Sequence, residues 1–188
     1  MRQTLLPLLL TLAGLTLSAC ASPGESTRMT VSDFQEMAAA MAQSLAADAQ
    51  VRDRTPESEP WVVSMDKVTN LTSDVMTRAE QWSIMADLRS SLPLQHFRRT
   101  KAIRFVLPPE RVQQLRRDQD LPELENVGRQ RQPTHTLAAT FRSLTRAGQE
   151  KRSDLYYAEF DLVDLDTGRT VWTDRFEYKR QAEGAIWD

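Results

Sequence analysis

Three stretches late in the chain alternate apolar and polar residues with a period of two. "THTLAATFRSLT" places Leu137, Ala139 and Phe141 on one side, and "DLYYAEFDLVD" does the same with Tyr156, Ala158, Phe160 and Leu162. "RTVWTDRFEYKR" sets Trp172, Phe176 and Tyr178 against Val171, Thr173, Arg175 and Glu177. Successive side chains of a strand point to opposite faces, so each stretch predicts a strand with one buried face. "DLDTG" joins the last two, and its Gly168 can supply the positive φ of a tight hairpin turn. An antiparallel meander is expected. Its apolar face needs a cover, which the first half of the chain must provide.

That half reads as helices interleaved with short strands. "MTVSDFQEMAAAMAQSLAAD" spaces Phe34, Met37, Met41 and Leu45 along one face, predicting a helix over 31–48 with Ser32 or Asp33 as N-cap and Ser32 with Gln35 as capping box. "QVRDRTPESEP" breaks it, and "WVVSMDKV" predicts a strand from Trp61 to Val68. "TNLTSD" predicts a turn, with Asn70 suited to left-handed backbone and Thr72, Ser73 or Asp74 able to cap the next helix. Val75, Ala79, Trp82, Met85, Ala86 and Leu88 mark that helix over 74–92, and Pro93 ends it. The densest basic stretch, "HFRRTKAIR", is expected to be a solvated sheet edge or loop, with a recognition patch as the alternative. "AIRFVL" predicts a strand over 102–107, and Pro108-Pro109 open a third helix carrying Val112 and Leu115. "QDLPELENVGRQRQPT" comes next as a long polar loop. The predicted fold class is α+β, a small and mostly antiparallel sheet with a C-terminal meander, flanked by two or three helices.

The start of the chain carries another kind of signal. Met1-Arg2 precede an almost wholly apolar run from Leu5 to Leu17. About thirteen residues at ~1.5 Å each make roughly 20 Å of helix, short of the ~30 Å hydrocarbon core of a bilayer. Residues 1–19 are therefore expected to be a removed export signal and not a retained span. "LSAC" at the end of the run resembles the lipobox of bacterial lipoproteins. That resemblance implies cleavage before Cys20, a diacylglycerol thioether on its sulfur and an acylated new N-terminus. Cys20 is the only cysteine, so no intramolecular disulfide can form. One acyl chain binds a bilayer only marginally, and two or three anchor stably. Ala21 after the lipidated residue implies, by the same resemblance, sorting to the outer membrane with the domain facing the periplasm. "ASPGESTRM" reads as a linker of at most about 30 Å. The expected organisation is a signal over 1–19, a short lipidated linker over 20–29 and a single domain over 30–188.

Chemistry is not signalled. His96 and His135 stand far apart with no cysteine or carboxylate at metal-ligand spacing, and the chain has no P-loop and no GxSxG. Asp161, Asp164 and Asp166 read as a solvated edge running into a turn. A net charge of −2 gives no strong field toward nucleic acid or an anionic bilayer. No catalytic residue, metal, small-molecule substrate or cofactor other than the covalent lipid on Cys20 is expected. Partner binding is assigned to loops on a rigid scaffold: Asn70, Leu71, Thr72 and Ser73 in the turn, and Leu121, Glu123, Glu125, Arg129 and Arg131 in the long loop.

The order of lipobox, "MTVSDF" helix, "WVVSMDKVTNLTSD" and the closing "DLYYAEFDLVDLDTGRTVWTDRFEYKR" resembles the LpoB-type lipoproteins, activators of class A penicillin-binding proteins. The most specific pieces are Asp66, Asn70, Thr72 and Ser73 with the final "DTGRTVW" and "FEYKR". The resemblance implies a fold like the N-terminal domain of TolB and a non-catalytic monomer that docks on a peptidoglycan synthase and stimulates it. The best-known members have a long tether where this chain has nine residues, and no family interface residue is carried over. The alternative is a structural or assembly lipoprotein of the envelope on the same fold.

Overall fold

The computed structural model describes residues 27–118, 132–148 and 151–183. The expected signal, Cys20 and the linker up to residue 26 lie outside the described residues, as do Leu121, Glu123, Glu125, Arg129 and Arg131.

Helix α1 (Val31–Ala47) buries Met37, Ala38, Met41, Ala42 and Leu45 along the face that the spacing predicts. Its N-cap is Thr30, not Ser32 or Asp33. Asp33 instead occupies the third helical position, where its Oδ2 accepts from the Thr30 backbone N–H at 2.6 Å and the Thr30 hydroxyl at 2.9 Å. The polar stretch beyond α1 makes one further turn, α2 (Ala49–Arg52), before it breaks. Asp48 caps it by accepting from Gln50 N–H at 2.8 Å.

Strand β1 (Trp61–Met65) ends earlier than expected, and Thr69–Leu71 form a short strand, β2, where the sequence predicts a turn. Between them Val68 is buried, and the Asp66 N–H donates to Leu137 C=O at 3.1 Å. Helix α3 (Arg78–Ser91) starts four residues later than expected. Thr77 accepts from Glu80 N–H at 3.2 Å, while the Glu80 carboxylate receives the Thr77 N–H at 2.6 Å. This reciprocal pair fixes the first turn and leaves Val75 outside the helix, 96% exposed. The first part of the basic stretch, His96 to Thr100, is helical and not a loop, whereas its end, Ile103 and Arg104, enters the edge strand of the sheet as expected. α4 (Leu94–Thr100) buries Phe97, whose ring stacks on Phe105 at 6.1 Å, and turns its arginines outward. β3 (Ile103–Val106) and α5 (Pro109–Asp118) fall where predicted.

The meander is β4 (His135–Ala147), β5 (Lys151–Asp164) and β6 (Thr170–Glu183), antiparallel throughout. Gly168 takes φ +68° in the final turn, as predicted. The full order is β3-β1-β4-β5-β6, with β1 parallel to both neighbours and β2 also parallel to β4. The fold class is α+β, with a mixed six-stranded sheet. Parallel neighbours need a crossover, and α3 with α4 lies between β1 and β3 in the chain. β1, central between two neighbours, buries Val62 to Met65 without alternation. Leu137, Ala139, Phe141, Phe160 and Leu162 share one core cluster with Met37, Leu45, Ile84 and Leu88 of α1 and α3. Each of the larger side chains among them contributes about 1.5–3 kcal/mol by leaving water.

Candidate functional site

Asn70, singled out as a turn residue, is the fastener of the segment between β2 and α3. Its Oδ1 accepts from the Thr72 N–H at 3.0 Å and the Thr72 hydroxyl at 2.7 Å, and its Nδ2 donates to Asp74 C=O at 2.7 Å. Asp74 N–H donates in turn to Thr72 Oγ1 at 3.2 Å, and Ser73 N–H reaches Ser143 Oγ on β4 at 3.3 Å. Asn70 and Thr72 are thus committed inward, while Leu71 and Ser73 face solvent. Asp74 ties the segment to the sheet by accepting the Tyr156 phenol at 2.7 Å. Burial, then the adjacent Asp74 carboxylate, pushes that phenol far above its ordinary range, so it stays protonated and donates.

Concave surfaces flank this segment on both sides. On the helix side a groove of about 470 Å³ runs between residues 28–34, residues 72–76 and α3, with Phe141 and Tyr156 among its lining residues. On the opposite side, Leu71, Arg142, Leu144, Tyr157, Glu159, Arg175 and Glu177 line a shallow cleft. Among the described residues five large apolar side chains are exposed, and four of them border these two surfaces. Val31 (71%) and Val75 edge the groove, and Leu71 (57%) and Leu144 (61%) edge the cleft. Scattered apolar residues are normal on a surface, whereas a cluster marks an interaction site.

The incoming chain is fixed at the same place. Arg28 and Met29 form part of the groove wall, and Arg28 lies 4.0 Å from the Asp74 carboxylate. Just beyond, Arg180 of β6 donates to both oxygens of the buried Asp33, at 3.0 and 2.8 Å. Burial opposes ionisation of Asp33, but the hydrogen bonds from the Thr30 backbone, Arg180, the Thr30 hydroxyl and Tyr178 outweigh it and lower the carboxyl's pKa.

The remaining candidates for chemistry are structural. His135 is buried in β4, its ring tilted against that of Trp61 with 4.4 Å between centroids and Thr134 Oγ1 2.8 Å from its Nδ1. Burial lowers its pKa against the pull of Asp164. His96 is exposed on α4. Asp164 organises the β5–β6 turn by accepting the N–H groups of Asp166 and Thr167 at 2.9 and 3.0 Å. No three metal-ligating side chains gather among the described residues, and no helix there is long and apolar enough to cross a membrane. The arrangement around residues 69–76 presents side chains that can bind another molecule.

Of the residues that border these two surfaces, the sequence reading named Leu71, Thr72 and Ser73 for partner binding and did not name Val31, Val75 or Leu144. Leu144 was the one with a readable signal. Leu137, Ala139 and Phe141 occupy the odd positions of β4, so an apolar residue at 144 falls on the other face.

A family model described as "Peptidoglycan-synthase activator LpoB" matches residues 33–178. No curated protein sequence matches the chain. Among solved structures, the LpoB C-terminal domain from Escherichia coli is similar at 14% identity and a TM-score of 0.45, over 78% of this chain and 98% of that one. The corresponding domain from Salmonella enterica gives 11% and 0.44 over the same shares. Lipoprotein GNA1162 from Neisseria meningitidis gives 15% and 0.39, over 65% of this chain and 84% of its own.

Proposed function

The chain belongs to the LpoB family of peptidoglycan-synthase activators, and from that premise we propose that it is a lipid-anchored, non-catalytic regulator in the periplasm that binds a class A penicillin-binding protein and raises its activity. The observation that carries the reading is the gathering of Val31, Leu71, Val75 and Leu144 around one fastened segment. Docking is assigned there, with Leu71 and Ser73 in contact and Asn70 and Thr72 holding them in place. Leu121, Glu123, Glu125, Arg129 and Arg131 remain part of the proposed interface. Cys20 is the proposed lipidation site and the outer membrane the proposed anchor.

Thr27 lies seven positions beyond Cys20, a reach of about 25 Å when fully extended. The docking end therefore stays close to the anchoring bilayer, and the synthase must approach it. This short reach is also the observation that favours a second reading, an envelope assembly lipoprotein whose partner lies at the same membrane.

The test is recovery of partners from detergent-solubilised envelopes on the immobilised chain, followed by glycan polymerisation assays. Recovery of a class A synthase that polymerises faster with the chain present is the expected outcome. Recovery of other envelope proteins with no synthase among them would transfer the function to the second reading.

A further inference from the structure

Resting on the docking role given to this end of the domain, we propose that the groove bordered by residues 28–34, 72–76 and α3 receives a partner polypeptide segment in which lysines or arginines flank large apolar side chains. The groove and the cleft both present apolar residues, but their charges differ. In the cleft Arg142 pairs with Glu159, and Arg175 pairs with Glu177 at 2.7 Å while lying over the Tyr157 ring, so each charge is answered within the fold. Among the described residues the groove is lined by Asp74, Glu80 and Asp87 against one cation, Arg28. Arg28 lies toward Asp74, which leaves the two acids of α3.

Glu80 and Asp87 are seven residues apart on α3, about 10 Å along the helix axis. Glu80 uses its Oε2 on the Thr77 cap. Ile84 lies between the two acids in sequence and, with Phe34 and Met76, supplies apolar lining. A segment with an apolar side chain over Ile84 and cations toward Glu80 and Asp87 complements both features. The same acids disfavour an anionic lipid headgroup, so the groove faces a protein and not the bilayer surface.

The experiment uses residues 20–188 carrying Cys20→Ser, with fluorescence anisotropy of two labelled probes, the peptide GKLKLKG and its acidic counterpart GELELEG. The basic probe is expected to bind and the acidic one not. The double variant Glu80→Gln/Asp87→Asn, which keeps a capping glutamine, is expected to weaken the basic probe about tenfold, the equivalent of two exposed ion pairs. Ser83→Arg, which places a cation in the groove, is expected to abolish binding, and Glu57→Gln on a distant loop to leave it unchanged. Equal binding of both probes, no binding of either, or full binding by the double variant overturns the proposal. Synthase capture is run beside it. A synthase still held by Glu80→Gln/Asp87→Asn and Ser83→Arg removes the groove and keeps the activator reading, whereas no synthase capture by the parent chain removes the activator reading and leaves the groove to the probes.

Discussion

The two ends of the sheet differ in the surface they show: among the described residues one exposes a single large apolar side chain, Leu165, and the other exposes four. Where β5 turns into β6, charged and aromatic groups are occupied within the fold. The Arg54 guanidinium lies 3.9 Å from the Trp61 ring centre and donates to Lys101 C=O at 3.0 Å, Trp61 packs on His135, and Asp164 gathers turn amides. At the other end the segment from Asn70 to Asp74 is equally well bonded, yet Val31, Leu71, Val75 and Leu144 project from or beside it into water. Loose folding does not account for their exposure, because their backbone surroundings are fastened. A rigid frame that presents apolar side chains suits the docking role proposed for it.

The largest effect that would sharpen this contrast comes from beneath the exposed end. Phe141→Ala removes a ring stacked 6.1 Å from Phe34 and edge-on at 6.4 Å to Phe160, and should cost about 3–5 kcal/mol in denaturant unfolding. Asp33→Ala leaves Arg180 without its carboxylate. Arg180 keeps 30% of its side chain in water, so the cost should be about 2 kcal/mol, below that of a fully buried pair. The Asp33 carboxyl titrates below its unfolded value of ~3.9. Its stabilisation is therefore present above that value and lost as pH falls through the lowered one, and the variant should lack this acid step in thermal melts.

Asn70→Ala removes three hydrogen bonds from one side chain and should cost about 1–2 kcal/mol while weakening partner capture, since it frees the segment that presents Leu71. At the opposite end, His135 binds its proton less readily folded than unfolded. Stability should fall as pH drops below the unfolded imidazole's ~6.5 toward the lowered folded value, with no matching change in partner affinity at pH values where the fold is intact. The smallest stability effect belongs to Val75→Ser with Leu144→Ser, within about 0.5 kcal/mol. That pair should nonetheless reduce partner capture most, and unchanged capture would dissolve the contrast between the ends.

How much of this was legible depended on element length. Each meander strand is long enough to display its alternation several times, so both the strands and the Gly168 turn could be read. β2 has three residues, too few to show a period, and its turn-forming composition predicts a loop. β1 is buried on both faces, which erases the alternation that would mark its end. The late start of α3 was written in Thr77 and Glu80, a threonine with glutamate three residues on, but Val75 and the turn before it suggested an earlier beginning. The candidate segment was found through its turn chemistry. Its neighbours were not, because Val75 fits a helix pattern in sequence and only the Thr77 cap leaves it outside, while Val31 is itself the first residue of α1.

The bond between Asp33 and Arg180 also decides how the domain carries load. Tension entering at Thr27 reaches the N-terminus of α1, where the Arg180 guanidinium couples it to β6, at the edge of the sheet remote from β3. β6 is joined to β5 along its whole length, so a pull resolved along the strand works against many hydrogen bonds at once. Because Arg28 and Met29 wall the groove upstream of that bond, a pull through the proposed leash would load the groove's wall before Asp33 and Arg180 take the strain.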